Sequence, residues 1–104
     1  MFKQSWKGDY KTALPLLQKK AAAGSLLAQH HLAQMYGHGK GVLKDEAEAV
    51  RWYKLAAKQG LVIAYYNLGV MYANGQGVLQ DEVEAVRWYK LAAANRNSSA
   101  QAIL

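Results

Sequence analysis

Residues 64–93 read AYYNLGVMYANGQGVLQDEVEAVRWYKLAA, and residues 28–57 read AQHHLAQMYGHGKGVLKDEAEAVRWYKLAA. The two stretches lie 36 residues apart and are identical at 20 of 30 positions when they are aligned without a gap. A fixed period of this length is typical of repeat proteins, in which each unit is too small to bury its own apolar face and packs on its neighbour. The duplication therefore predicts an array of stacked units.

Each copy divides into two helical segments, A and B, that a glycine-containing loop joins. In the A segments apolar residues recur at intervals of three and four, which is the spacing of a buried helical stripe. A small residue follows the leucine of each stripe (Ala33 and Gly69), where we expect a neighbouring helix to approach closely. The stripes consist of Ala28, Leu32, Met35 and Tyr36 in the first copy and of Ala64, Leu68, Met71 and Tyr72 in the second.

The loops GHGKGV and ANGQGV predict the end of each A helix. Gly39 and Gly75 suit the left-handed position that follows a helix, and we expect Val42 and Val78 to fold back as apolar contacts. The loops do not resemble a phosphate-binding loop, because that loop follows a strand and opens a helix.

The B segments begin with an aspartate cap followed three residues later by a glutamate, an aspartate variant of the capping box. Glu48 and Arg51, like Glu84 and Arg87, are spaced to form i,i+3 ion pairs. The duplicated carboxylates are therefore interpreted as caps and pairs, with no catalytic role. The predicted buried stripe consists of Ala49, Trp52, Tyr53, Ala56 and Ala57, repeated as Ala85, Trp88, Tyr89, Ala92 and Ala93.

The remaining chain extends this pattern, so that residues 1–104 are predicted to form a single repeat domain. A divergent half repeat is expected at 9–24, full repeats at 26–60 and 62–96, and the start of a further A helix at 98–104. In the half repeat, a helix from about Thr12 to Ala23 with Thr12 as N-cap would place Pro15 where it loses no hydrogen bond. Arg96 takes the place of the glycine that ends the first B helix, so we expect a left-handed Asn95 or Asn97 instead.

The overall composition is that of an ordered chain, with 52% hydrophobic and 19% charged residues among 104. No apolar run approaches the roughly 18 residues that a membrane span needs, so we expect a soluble protein without membrane insertion. No signal peptide is visible, which predicts a cytoplasmic or, if a signal was removed, a periplasmic location. There is no cysteine, and the net charge is +6.

The string GxGV-xx-D-xxx-A-xx-WY-xx-AA at a 36-residue period resembles the Sel1-like repeat (SLR) family, a relative of the tetratricopeptide repeat with a longer loop. The resemblance covers residues 9–104. It implies an all-α fold, an α/α superhelical solenoid whose A helices line a concave surface. It also implies an adaptor that assembles protein complexes, as members of the family do, although many bacterial members have no assigned partner.

Three histidines in the first copy, His30, His31 and His38, do not make a convincing metal site. Zinc needs three or four converging ligands, and His30 points away from the stripe that the other two share. We therefore predict no metal, no cofactor and no catalytic residue.

The exposed side of the A helices carries residues that differ between the copies while the framework is constant. We predict that this side binds a protein or peptide partner, and that exposed faces at the ends of the array permit self-association. The candidate partner-binding residues are Leu27, His30, His31, Gln34, His38, Ile63, Tyr66, Asn67, Val70 and Asn74.

Two other functions have weaker support in the sequence than partner binding. One is a bacterial cell-wall-related enzyme with weak β-lactam binding or hydrolysis, as linked to a cysteine-rich subgroup of the family, but the chain has no cysteine and no S-x-x-K motif. The other is nucleic-acid binding, which the positive charge suggests; it is not expected, because the basic residues lack interleaved exposed aromatics.

Overall fold

The computed structural model describes residues 10–95, which form five α-helices of 13 residues each and no strand. The all-α prediction is confirmed. We number the helices in chain order as α1 (Tyr10–Ala22), α2 (Leu26–His38), α3 (Glu46–Lys58), α4 (Val62–Asn74) and α5 (Glu82–Ala94). Helices α2 and α4 are the A helices, and α1, α3 and α5 correspond to B helices.

The helices pack in chain order, each against its neighbours along the sequence. Leu32 and Leu68, at equivalent positions of the two A helices, are the largest fully buried side chains. Around them, alanines at the helix crossings are also inaccessible, which allows the helix axes to approach closely. A main apolar cluster extends from α1 to α4, and a second cluster joins α4 to α5. Tyr65 of α4 packs against both clusters, so the interior continues from one repeat into the next.

Of the six aromatic residues in the predicted buried stripes, three are buried, and Tyr36, Tyr72 and Trp88 are only partly buried. Trp52, Tyr53 and Tyr89 are at most 8% exposed, whereas Trp88 is only partly buried and its Nε1 has no partner. Trp52 differs because its Nε1 donates to Glu48 Oε2 at 3.1 Å.

Each A helix also packs on its B helix through a pair of rings. The His30 ring lies 6.2 Å from the Tyr53 ring in the first repeat, and the Tyr66 ring lies 5.9 Å from the Tyr89 ring in the second. Burial lowers the pKa of His30, and the neighbouring His31 lowers it further. The Nδ1 atom of His30 is buried without a hydrogen-bond partner, which disfavours a second ring proton.

The two glycines of each loop have different structural roles. The sequence predicted that the first glycine ends the A helix, but it did not predict the role of the second. Gly39 and Gly75 are left-handed, with φ of 70° and 69°, and their N–H groups donate to carbonyls near the end of the preceding helix, as predicted. The second glycine lies against the first turn of the B helix of the preceding unit. A Cβ on Gly77 would lie 2.8 Å from the Ala47 amide nitrogen, and one on Gly41 would collide with Tyr10.

The B helices begin as predicted, but only half of the capping box forms. The side chains of Asp45 and Asp81 accept hydrogen bonds from the amides of Glu48 and Glu84, at 3.1 and 3.0 Å. The Asp45 amide donates instead to the Tyr36 carbonyl at 2.8 Å. Because that amide is already paired, the Glu48 carboxylate does not bind it and instead accepts hydrogen bonds from Arg51 and Trp52.

The prediction for the start of α1 is wrong. Thr12 is not an N-cap, since α1 already includes Tyr10 and Pro15 lies inside it. Pro15 is exposed, and the packing of Leu14, Leu17 and Ala21 against α2 outweighs the hydrogen bond that proline cannot make.

The end of α5 excludes one of the two residues that were expected to be left-handed. Asn95 has φ of −102° and is not left-handed, and its side chain donates to the Leu91 carbonyl at 2.8 Å. The predictions that concern Arg96, Asn97 and residues 98–104 lie outside the described residues.

The second loop glycine leads to a stability prediction. Gly77→Ala introduces a left-handed alanine, with a strain of about 1–2 kcal/mol, and places its Cβ against the α3 backbone. Gly60→Ala is the matched control, since its φ is +93° and nothing lies within 4 Å of the added Cβ. We expect Gly77→Ala to lose about 1–3 kcal/mol more than the control in urea unfolding. Equal losses would show that the loop does not contact α3 as described.

The His30 environment leads to a prediction on pH. Because the folded pKa lies below the unfolded value of 6.5, the unfolded state binds the proton more strongly as the pH falls. The stabilisation is therefore complete above that value and is lost on acidification through the folded pKa. His30→Tyr, which copies Tyr66, should reduce the loss of unfolding free energy between about pH 7.5 and pH 5.5. His38→Asn, which copies the exposed Asn74, is the control. An unchanged pH dependence in His30→Tyr would contradict the interpretation.

Candidate functional site

The A-helix face, which we define as the side of α2 and α4 that carries the ten predicted partner-binding residues, contains two adjoining depressions. The first has a volume of about 350 Å³ and lies along α2 and the start of α1. His31, Gln34 and His38 are exposed here, and three residues that were not predicted complete the lining. These are Tyr10, Met35 and Lys40.

The second depression lies at the junction of the two repeats and has a volume of about 150 Å³. His38 also lines this depression, so its side chain stands between the two. On the α4 side the lining includes the predicted Asn67 and Val70. The other lining residues are Gly37, Glu46, Tyr53, Met71 and Gln76.

The polar rim of the second depression joins the two repeats. Gln76 Nε2, from the second loop, donates to Glu46 Oε2 of α3 at 3.4 Å. Lys44 Nζ lies 3.7 Å from the same carboxylate oxygen. The rim of this depression thus carries one carboxylate with a cation and an amide beside it, together with the His38 and Asn67 side chains.

The remaining predicted residues lie outside the two depressions. Leu27 is 70% exposed and Ile63 is 39% exposed, each one turn or less from the start of its helix, and Asn74 is exposed at the end of α4. His30 and Tyr66 are half-buried in the ring pairs described above, where they hold each A helix on its B helix. The structure therefore brings together His31, Gln34, His38, Asn67 and Val70.

One unpredicted lining position had a signal in the sequence that was not used. Lys40 and Gln76 occupy the same loop position in the two copies and differ, as do the predicted face residues. Tyr10, Met35 and Tyr53 had no such signal, because they belong to the framework or to the divergent half repeat. Their participation depends on how α1 and α3 are packed, which the repeat pattern alone does not specify.

The glycine loops do not offer amides to an anion. The amides of Gly39 and Lys40 both donate to the Met35 carbonyl, and those of Gly75 and Gln76 both donate to the Met71 carbonyl. These N–H groups complete the end of the A helices and do not converge on a free point.

Within residues 10–95, no group of three or more histidine, cysteine, aspartate or glutamate side chains is arranged to hold a metal ion. The helices in this part of the chain are also too short and too polar to cross a bilayer.

The outer side of α5 is more apolar than the equivalent side of α3. Val86 is 39% exposed, whereas its counterpart Val50 is 5% exposed and belongs to the main apolar cluster. Val83 is 73% exposed and lies beside Val86 in a shallow depression of about 370 Å³ that Arg87 and Lys90 border. Self-association through such a face stays a prediction.

Comparison with known proteins places these features in a family. The Sel1 repeat model matches residues 26–61 and 62–97. A protective antigen of uropathogenic Escherichia coli with an SLR fold is 43% identical with a TM-score of 0.86, over 89% of this chain and 20% of that chain. A Sel1 repeat protein from Oxalobacter formigenes is 42% identical with a TM-score of 0.84, over 88% of this chain and 69% of that one.

A third structure, cysteine-rich protein B of Helicobacter pylori, is 28% identical with a TM-score of 0.78, over 85% of this chain and 66% of that one. The chain thus spans a fifth of the Escherichia coli antigen and about two thirds of the other two proteins. Among curated proteins no significant match is found. Because the family model matches both helical pairs, α2–α3 and α4–α5, the chain belongs to the Sel1 repeat family.

Proposed function

We propose that the A-helix face binds a segment of a protein partner and that the chain acts as a non-catalytic adaptor. Sel1 repeats generally serve as protein-interaction modules, which supports the class of function. The observation that carries the proposal for this face is the pair of depressions that share His38. Together they form a contiguous surface that crosses from the first repeat to the second.

The variation between the two copies supports the same surface. Of the positions that line the depressions, His31 corresponds to Asn67, Gln34 to Val70 and Lys40 to Gln76. These differ although 20 of 30 positions in the copies are identical. Residues that hold the fold are constant, and those on the face are free to be specialised for a partner.

The chemistry of the lining favours a polar or acidic segment. The first depression is lined by two histidines, a glutamine and Lys40, and the residues that line it include no carboxylate. Imidazole, amide and ammonium groups donate hydrogen bonds to carboxylates and to main-chain carbonyls. An extended peptide with an acidic group near its centre would satisfy these donors.

Mutations for testing the proposal should be made at exposed positions. Tyr66→Ala and Val70→Asp are ambiguous, because Tyr66 and Val70 pack against the second apolar cluster and their replacement also disturbs the fold. Gln34 and His38 are exposed and line the depressions, so their replacement changes the surface alone. No observation on residues 10–95 favours the enzymatic alternative over binding.

We expect His38→Asp to weaken partner binding by at least about tenfold, or ~1.4 kcal/mol. The free energy of unfolding should fall by only about 0.3–1 kcal/mol, because the new carboxylate lies at the C-terminal end of α2. The added carboxylate would repel an acidic segment at the point where the two depressions meet. The partner is captured on the immobilised chain and identified by mass spectrometry, and its affinity for each variant is then measured by calorimetry.

Lys58→Asp is the matched control, since Lys58 is exposed in the last turn of α3 and does not line either depression. It changes the net charge by the same sign and should retain wild-type affinity. Wild-type affinity in His38→Asp, or an equal loss in both variants, would refute the assignment of the A-helix face.

A further inference from the structure

A larger groove lies on the other side of the molecule, between α1 and α3, with α2 as its floor. We call it the B-helix groove; its volume is about 470 Å³, within the usual range for sites that bind small groups. The residues that line it are Gln18, Ala21, Ala22, Gln29, Tyr36, Glu48, Arg51, Trp52 and Leu55. None of them belongs to the A-helix face.

The floor of the groove differs between the two repeats at one position of the A helix. Gln29 corresponds to Tyr65, and Trp52 corresponds to Trp88. In the second repeat the Tyr65 ring stacks on the Trp88 ring, with centroids 6.0 Å apart and planes inclined by 29°. Among the described residues, no aromatic ring stacks on Trp52 in the first repeat. The exchange of tyrosine for glutamine therefore removes a ring from the floor of the groove.

The Gln29 side chain does not replace that ring, because its amide is used elsewhere. Its Nε2 donates to the Ala21 carbonyl at 3.1 Å, and its Oε1 accepts from Gln59 Nε2 at 2.9 Å. Gln59 Nε2 also lies 2.9 Å from the Gly24 carbonyl. These bonds join the ends of α1, α2 and α3 and hold Gln29 in a buried position, 4% exposed.

The walls of the groove are fixed in place and partly apolar. Trp52 Nε1 donates to Glu48, and the Arg51 guanidinium lies 4.5 Å from the Trp52 ring centroid. Arg51 is itself held by two hydrogen bonds to the Glu48 carboxylate, at 2.9 and 3.4 Å. A preorganised site of this kind loses little entropy when it binds.

The opposite wall is low because α1 carries small or uncharged residues there. Ala22 corresponds to Lys58, and Gln18 corresponds to Lys54, whose Nζ lies 5.6 Å from the Tyr72 ring centroid. In the equivalent groove beside the second repeat, Lys54 of α3 thus lies over Tyr72, the tyrosine that is equivalent to Tyr36. In the first repeat the equivalent position carries the exposed, uncharged Gln18.

We propose that the B-helix groove binds an aromatic side chain of a partner protein, in the place that Tyr65 takes in the second repeat. The flat ring lies beside Trp52 and Leu55, and a phenol hydroxyl at its tip reaches the polar rim that Gln18, Glu48 and Arg51 provide. The groove is a second contact surface, separate from the A-helix face, and its occupant is a tyrosine or a similar ring.

The probe for this proposal is N-acetyl-tyrosinamide, followed by the indole N–H signals of a ¹⁵N-labelled chain in NMR titrations. We expect a saturable shift of the Trp52 signal, with a dissociation constant on the order of 1 mM. The Trp88 signal should move less than the Trp52 signal, because the Tyr65 ring already stacks on the Trp88 ring. N-acetyl-alaninamide, which lacks the ring, should shift the Trp52 signal at least tenfold less at equal concentration.

Variants that copy one repeat into the other provide the controls. Gln29→Tyr should abolish the Trp52 shift, because the chain then supplies the ring itself. Ala22→Lys copies Lys58 at an exposed position, so it leaves the fold intact, and it should weaken binding at least threefold by covering the groove.

An unmoved Trp52 signal in the wild type, or wild-type binding by Gln29→Tyr or by Ala22→Lys, would overturn the proposal. The probe is a small molecule and reports on Trp52 alone. Failure here therefore leaves the A-helix face untouched, and failure of the His38 variants leaves this groove untouched.

Discussion

The Tyr89 ring lies against the α4 backbone at Gly69, where an added Cβ would come within 2.6 Å of two ring carbons. The equivalent pair in the first repeat, Tyr53 and Ala33, is also buried. Helices A and B can approach this closely only because a small residue faces a large flat one. This contact fixes the angle between the two helices of a unit. The residues of the A-helix face are positioned by it, since they lie on the same helices, and Tyr53 itself lines the second depression.

The second constraint acts between units. Gly41 and Gly77 bring each loop onto the first turn of the preceding B helix, and Val78 packs into the main apolar cluster, which belongs largely to the first repeat. Tyr65 then links both clusters. Because stability in repeat proteins is a sum of units and interfaces, these few residues determine whether the array behaves as one body. The depression at His38 exists only while this interface is closed.

Much of the fold could be read from the sequence because the pattern is duplicated. The buried stripe, the left-handed Gly39 and Gly75, the aspartate caps and the Glu48–Arg51 and Glu84–Arg87 pairs all follow from local rules that act twice. Pro15 was misjudged because tertiary packing of α1 outweighs a local propensity. The second loop glycine was unexplained because its reason lies in another unit, outside any local window.

The surfaces were harder to predict than the framework. Periodicity identified which side of α2 and α4 is exposed, but it could not show that His30 and Tyr66 are held in ring pairs while His38 joins two depressions. The B-helix groove was missed entirely. Its signal is a single difference between the copies, Gln29 against Tyr65, whose meaning appears only when the stacking on Trp88 is seen. Differences between copies are therefore as informative as identities.

The most direct test of a shared interior is native-state hydrogen exchange on the Leu68→Ala variant. Leu68 is inaccessible at the centre of α4, and its truncation should remove about 2–5 kcal/mol of stability. If the two repeats share one interior, the free energy of exchange falls by a similar amount in α3 and in α4, because α3 packs on α4. A fall confined to α4 and α5, with α2 and α3 at wild-type protection, would show that the repeats are independent and would contradict the account.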